Sequence, residues 1–254
     1  MPLRWGRQRG AFVWVRDPGA KPARRQPSEM FLVRHDYAAD LVKRPKMRPL
    51  GALRIYDPNT EPGLFWRLAK VEPTVDSVLE FIDEFGALGL SVRRTLLMRD
   101  GAATEIDVEP FSAWQVEVWH MREAINAAHA IGLLQGGPSF PGKGIALDSD
   151  VDRLSRWLLG RINESRAPAR LIRTELGAYR DAFVPRTLRE VIWSQFANAI
   201  KTERAYKLCA YCGDPFEIGG GWTAPQSKRA DAKYCSASCR SMASLKRKAG
   251  GKRG

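Results

Sequence analysis

Leu208-Cys209-Ala-Tyr-Cys212-Gly213 and Tyr234-Cys235-Ser-Ala-Ser-Cys239-Arg240 hold all four cysteines of the chain. The spacing is C-x2-C, a 22-residue interval, then C-x3-C. Two close pairs separated by a loop suit a tetrahedral Zn²⁺ site, because each pair delivers two thiolates from one short turn. Cys209, Cys212, Cys235 and Cys239 are therefore the expected ligands of one zinc ion.

In the first pair, two intervening residues let both sulfurs face one point. Gly213 tolerates the positive φ that turns backbone N–H groups toward the sulfurs. Phe216 and Ile218 then suit a hairpin strand, with Gly219-Gly220-Gly221 as its tip and Trp222 or Tyr234 covering a small core. In the second pair, Tyr234-Cys235 reads as a strand end and Ser236 as the N-cap of a helix. Cys235 and Cys239 lie about one helical turn apart. Knuckle, hairpin and ligand-bearing helix together predict a treble-clef zinc finger. Four thiolates leave no open coordination position, so the zinc is expected to be structural rather than catalytic.

Charge surrounds this site. Of the net +13 carried by 254 residues, positions 1–50 hold 12 Lys and Arg against 4 Asp and Glu, and positions 201–254 hold the same numbers. The middle, 51–200, carries 17 against 20 and is slightly acidic. Basic ends favour polyanions, of which nucleic acid is the usual one. Arg240, Lys246, Arg247, Lys248, Lys252 and Arg253 follow the last cysteine on a predicted helix and tail, and are the expected phosphate contacts. Few groups there suit base reading, only Arg240 and Gln226, so low sequence specificity is expected, with DNA ahead of RNA. The alternative is a protein-interaction or ligand-sensing module in which zinc merely staples the tail.

The apolar run Ala11–Val15 stops at Arg16-Asp17, too short for a signal-peptide core, and no stretch approaches membrane-spanning length. No membrane partner, reduced cysteines and a cytoplasmic location are the resulting expectations.

Residues 1–29, rich in Arg, Pro and Gly, are expected to be poorly ordered, and Met30 offers an alternative start codon. Residues 30–206 read as an α-rich α+β domain with short strands, 207–249 as the finger and 250–254 as a basic tail. Short strands are expected at Phe31–Val33 and Leu50–Tyr56, and a hairpin turning at Asp100-Gly101. Helices are expected from Thr74 to Phe85, Ser112 to Ile131, Asp150 to Asn163 and after Pro185, each with an apolar stripe at helical spacing. Ala169–Thr174 and Tyr179–Val184 are expected to pair.

The C-terminal segment, with C-x-x-C-G-x-x-F followed by Y-C-S-x-x-C-R and a basic helix, resembles the CGNR-type treble-clef fingers of bacterial transcription regulators. The resemblance implies zinc at the four cysteines and DNA binding by the finger. This chain has Cys239-Arg240-Ser241-Met242 where that group has Cys-Gly-Asn-Arg. Residues 30–206 resemble the uncharacterised helical domain that often precedes such a finger.

Other motifs weigh less. Gly137–Gly144 fits G-x4-G-K, but Gly144 replaces the Mg²⁺-binding Ser or Thr, and Pro138 and Pro141 remove N–H donors, so a linker is expected. Glu117 and His120 have di-iron spacing without a second copy. Trp114, Trp119, Trp157 and Trp193 read as helix core residues. No Ser-His-Asp, Cys-His or paired-carboxylate arrangement is present, so no enzymatic activity is expected.

Overall fold

Thr74 is extended (φ −116°), and its Oγ1 accepts from the N–H of Ser77 at 3.3 Å, so a helix begins where the sequence predicts. The computed structural model describes residues 5–7, 12–16, 30–34, 54–56, 61, 63–97, 103–141, 150–173, 179–183, 185–219 and 228–250. The strands are β1 (Trp5–Arg7), β2 (Phe12–Arg16), β3 (Met30–Arg34), β4 (Arg54–Tyr56), β5 (Val92–Leu97), β6 (Ala103–Pro110), β7 (Gln135–Gly136), β8 (Ala169–Arg173), β9 (Tyr179–Phe183), β10 (Ala205–Leu208) and β11 (Pro215–Ile218). The helices are α1 (Leu64–Lys70), α2 (Val75–Phe85), α3 (Phe111–Ala130), α4 (Val151–Ser165), α5 (Leu188–Lys201) and α6 (Ala237–Gly250). The fold is thus mixed α and β. It divides into two units, Met1–Thr60, Arg67–Met121 and Arg166–Val191 in the first, and Glu61–Trp66, Arg122–Ser165 and Ile192–Gly254 in the second.

In the first unit an antiparallel sheet runs β2-β3-β6-β5. Its β2 lies within the stretch expected to be poorly ordered. Phe12-Val-Trp-Val15 is aromatic and β-branched, and pairs with β3 from Phe12↔Arg34 to Arg16↔Met30, so the surrounding Arg and Pro content misleads there. The β5–β6 hairpin forms as expected, with Leu97 opposite Ala103; its turn at Asp100-Gly101 lies outside the described residues. Helix α2 packs against β1 and β2 and buries Val78, Phe81, Ile82 and Phe85. Phe81 meets the buried Trp114 ring edge-on at 5.9 Å. Strands β8 and β9 pair antiparallel as predicted.

The second unit is built on aromatic rings. Phe65 lies 5.1 Å from Trp66, 5.4 Å from Phe196 and 5.7 Å from Tyr206 between centroids. Trp66 adds His129 at 5.8 Å and Phe140 at 6.4 Å. Phe140 is pinned through its backbone, since the Asn126 side chain donates to its carbonyl at 2.8 Å and accepts from its N–H at 3.0 Å. The segment read as a linker from Gly137 therefore begins as a lid over Trp66; residues 142–149 lie outside the described part. In α4, Leu154, Leu158 and Ile162 are buried as expected, whereas Val151, at the first position of the helix, is 55% exposed. Trp119, also read as core, is 45% exposed on α3.

Candidate metal centre

Tyr206, buried in the aromatic core, lies on β10, and β10 delivers the chain to the first cysteine pair. On one side β10 pairs in parallel with β7, and on the other antiparallel with β11. The expected domain boundary at 206/207 falls inside this strand. Arg204, just before β10, forms an ion pair with the buried Glu217 of β11. The cysteine turn is thus carried on a hairpin already tied to the core.

Between β10 and β11, the Cys209 N–H donates to the Asp214 carbonyl and the Gly213 N–H to the Cys209 carbonyl, both at 2.9 Å. Gly213 has φ +74°, the left-handed turn that its place after Cys212 predicts. The β10–β11 hairpin spans the knuckle; the expected tip beyond Gly219 lies outside the described residues. After β11 only a single bridge, Ile218 to Lys228, occurs among the described residues. Gly220, Gly221, Trp222 and Gln226 lie outside them.

The second pair approaches through residues 228–234, tied to the knuckle where Ala210 N–H donates to the Lys233 carbonyl at 2.9 Å. No strand forms at Tyr234-Cys235. Ser236 caps α6 as expected, its Oγ accepting from the Cys239 N–H at 3.1 Å. Cys235 therefore sits just before the helix and Cys239 in its first turn.

All four sulfurs lie within 4.8 Å of one another. The Cys212–Cys235 and Cys235–Cys239 separations are 3.6 and 3.5 Å. Tetrahedral zinc with bonds of about 2.3 Å requires sulfurs roughly 3.8 Å apart, so the cluster fits that ion. The Cys235 N–H points at the Cys209 sulfur at 3.4 Å. Burial works to raise the Cys209 thiol, but backbone N–H groups of Cys212, Cys235 and Tyr211 outweigh it and bring its pKa down to about 6. Burial pushes the Cys212 and Cys235 thiols up, and neighbouring sulfurs push Cys235 further. Four thiolates this close repel strongly, and a divalent cation removes that repulsion.

Helix α6 carries no buried side chain among those described. Met242 is 47% and Leu245 60% exposed, while Arg240, Lys246 and Arg247 also face solvent. With 3.6 residues per turn, Arg240 and Arg247 share one face and Met242 and Leu245 lie roughly opposite. Lys248 belongs to α6, whereas Lys252 and Arg253 lie outside the described residues. The structure adds Lys228, Arg229 and Lys233, which line a groove together with Arg240. Their signal was the basic run Lys228-Arg-Ala-Asp-Ala-Lys233, broken by Asp231 and lying between the two cysteine pairs instead of after the second.

The other motif residues have contacts of their own. Glu117 pairs with Arg189 at 2.8 Å, and His129 Nε2 is 2.9 Å from the Gly136 carbonyl. Comparison with protein-family models, curated proteins and solved structures finds no match. Among the described residues no helix is long and apolar enough to cross a membrane.

Proposed function

We propose that residues 207–249 are a treble-clef zinc finger with one structural Zn²⁺ on Cys209, Cys212, Cys235 and Cys239, and that this finger binds nucleic acid through phosphate. The observation that carries the reading is α6, a basic helix with no buried side chain among those described, starting at the cysteine cluster. Isolated helices shorter than about 12–15 residues are marginal in water, so a helix of 14 residues with no fully buried side chain among those described needs its metal anchor. Such a helix is built to present side chains outward.

Charge supports the choice of partner. Residues 207–250 hold eight Lys and Arg against three Asp and Glu, a net +5. A zinc ion on four thiolates carries −2 in total, which leaves an unmatched positive surface. The cations therefore exceed what the metal centre can neutralise. Low-specificity binding to DNA, as the resemblance to regulator fingers implies, fits a surface of point charges with few base-reading groups.

A second reading rests on the opposite face of α6, where Met242 and Leu245 are exposed and suit a protein partner. The two readings separate in one titration of the zinc-loaded protein with duplex DNA and RNA at several salt concentrations. On the nucleic-acid reading, neutralising Lys246, Arg247 and Lys248 lowers the log–log salt slope on duplex DNA by about 2 to 3. Binding left unchanged by those substitutions removes the helix from the mechanism and favours the Met242–Leu245 face.

A further inference from the structure

We infer that the finger contains a groove for one unpaired nucleotide of a nucleic-acid strand; this rests on the nucleic-acid reading above and gives it a defined site. The groove lies between residues 228–234 and the start of α6 and has a volume of about 490 Å³. Small-molecule sites typically measure about 300–1,000 Å³, so the space exceeds what a lone phosphate fills and suits a nucleotide. Lys228, Arg229, Lys233 and Arg240 line it against a single carboxylate, Asp231. Asp231 is engaged by Arg229, Oδ1 to Nε at 3.7 Å, and no ion pair among the described residues engages Lys228, Lys233 or Arg240. Three cations thus line one concavity with no ion-pair partner among the described residues.

The half-buried Tyr234 also lines the groove. An aromatic face beside a cationic groove is the arrangement that binds single strands, with the base stacked and the backbone neutralised. A duplex keeps its bases paired and stacked, and reaches such a groove only with its phosphates. The groove therefore discriminates between strand forms, which point charges on an exposed helix do not do.

Its geometry depends on the cysteines. One wall runs into Cys235, the other belongs to the helix bearing Cys239, and the Lys207 ammonium holds the Ala230 carbonyl at 2.6 Å behind the first wall. Holding the sulfurs together holds the groove open.

The test uses the full-length zinc-loaded protein and fluorescence anisotropy with labelled oligothymidylate, oligouridylate and a DNA duplex of equal phosphate number. Single strands are expected to bind at least about tenfold tighter than the duplex, and the two single-strand arms report which sugar is preferred. Lys228→Ala combined with Lys233→Ala, and separately Tyr234→Leu, are expected to abolish that preference while retaining one zinc per chain. Thymidine 5′-monophosphate is expected to compete better than inorganic phosphate at equal concentration. If Tyr234→Leu loses its zinc, the double lysine variant, confined to exposed side chains, carries the test. Equal wild-type binding to single strands and duplex, or a preference that survives the lysine substitutions, overturns the groove but leaves the nucleic-acid reading standing. No binding to any of the three probes overturns both.

Discussion

Glu109, at the end of β6, accepts from the N–H of Gly89 at 2.6 Å and of Leu90 at 3.0 Å, and from the Trp114 indole at 2.8 Å. One buried carboxylate thereby joins the turn after α2 to the first turn of α3. Burial pushes its pKa above 4.5, and the three donors pull the other way without prevailing. Its contribution to stability is fully present below about pH 4.5 and declines as pH rises through the folded value. Glu109→Ala leaves three donors without their acceptor and is expected to cost about 3 kcal/mol in urea denaturation. Glu109→Gln should cost less and should flatten the pH dependence of stability above about pH 4.5; an unchanged pH profile would count against the role. At this scale the cysteines were legible because their chemistry is rare and their spacing specific. Glu109 was not, since a lone glutamate on a weakly alternating segment reads as surface charge. Lys228, Arg229 and Lys233 were visible as charges, but only the approach of their segment to α6 makes them one site.

Among the elements, the amphipathic helices were legible and the buried ones were not. Helix α2 shows its stripe, its Thr74 cap and its Gly86 stop in the sequence, and each has its counterpart in the structure. Helix α1 was missed because Leu64, Phe65, Trp66, Leu68 and Ala69 are all almost fully buried, so no polar face marks a period. Strand β7 is only two residues long and carries no propensity signal, yet it supplies the parallel neighbour of β10. Its Gly136 has φ +70°, and a Cβ there would come within 2.0 Å of the Tyr206 carbonyl oxygen. Gly136→Ala is accordingly expected to cost about 2 kcal/mol or more, through both the left-handed backbone and the lost strand contact. Thermal melts of the zinc-loaded protein check the stability. Amide hydrogen exchange at Tyr206 should rise in the variant; protection equal to wild type would show that β7 does not hold β10.

For the whole molecule, the decisive expectation concerns metal removal. A chelator should release one zinc per chain and melt α6, because that helix buries none of its described side chains. Tyr206 should keep its protection, since Phe65 and Trp66 hold it without help from the cysteines. Hydrogen exchange before and after chelation reads both regions in one experiment, and α6 amides that stay protected in the metal-free protein would contradict the anchoring role. The sequence by itself determined the four cysteines that cluster, the amphipathic helices, two hairpins and the basic character of the C-terminal segment. Those features are local: they depend on spacing, periodicity or charge within a few turns of chain. Only the tertiary structure decided that β2 joins a sheet, that a strand with residues on both sides of the expected boundary ties the cysteine turn to an aromatic core, and that three lysines and arginines before Cys235 share a groove with Arg240. These depend on chain segments far apart in sequence, such as β7 and β10, coming together. Such contacts are selected by the burial they achieve jointly, and no single segment carries that information.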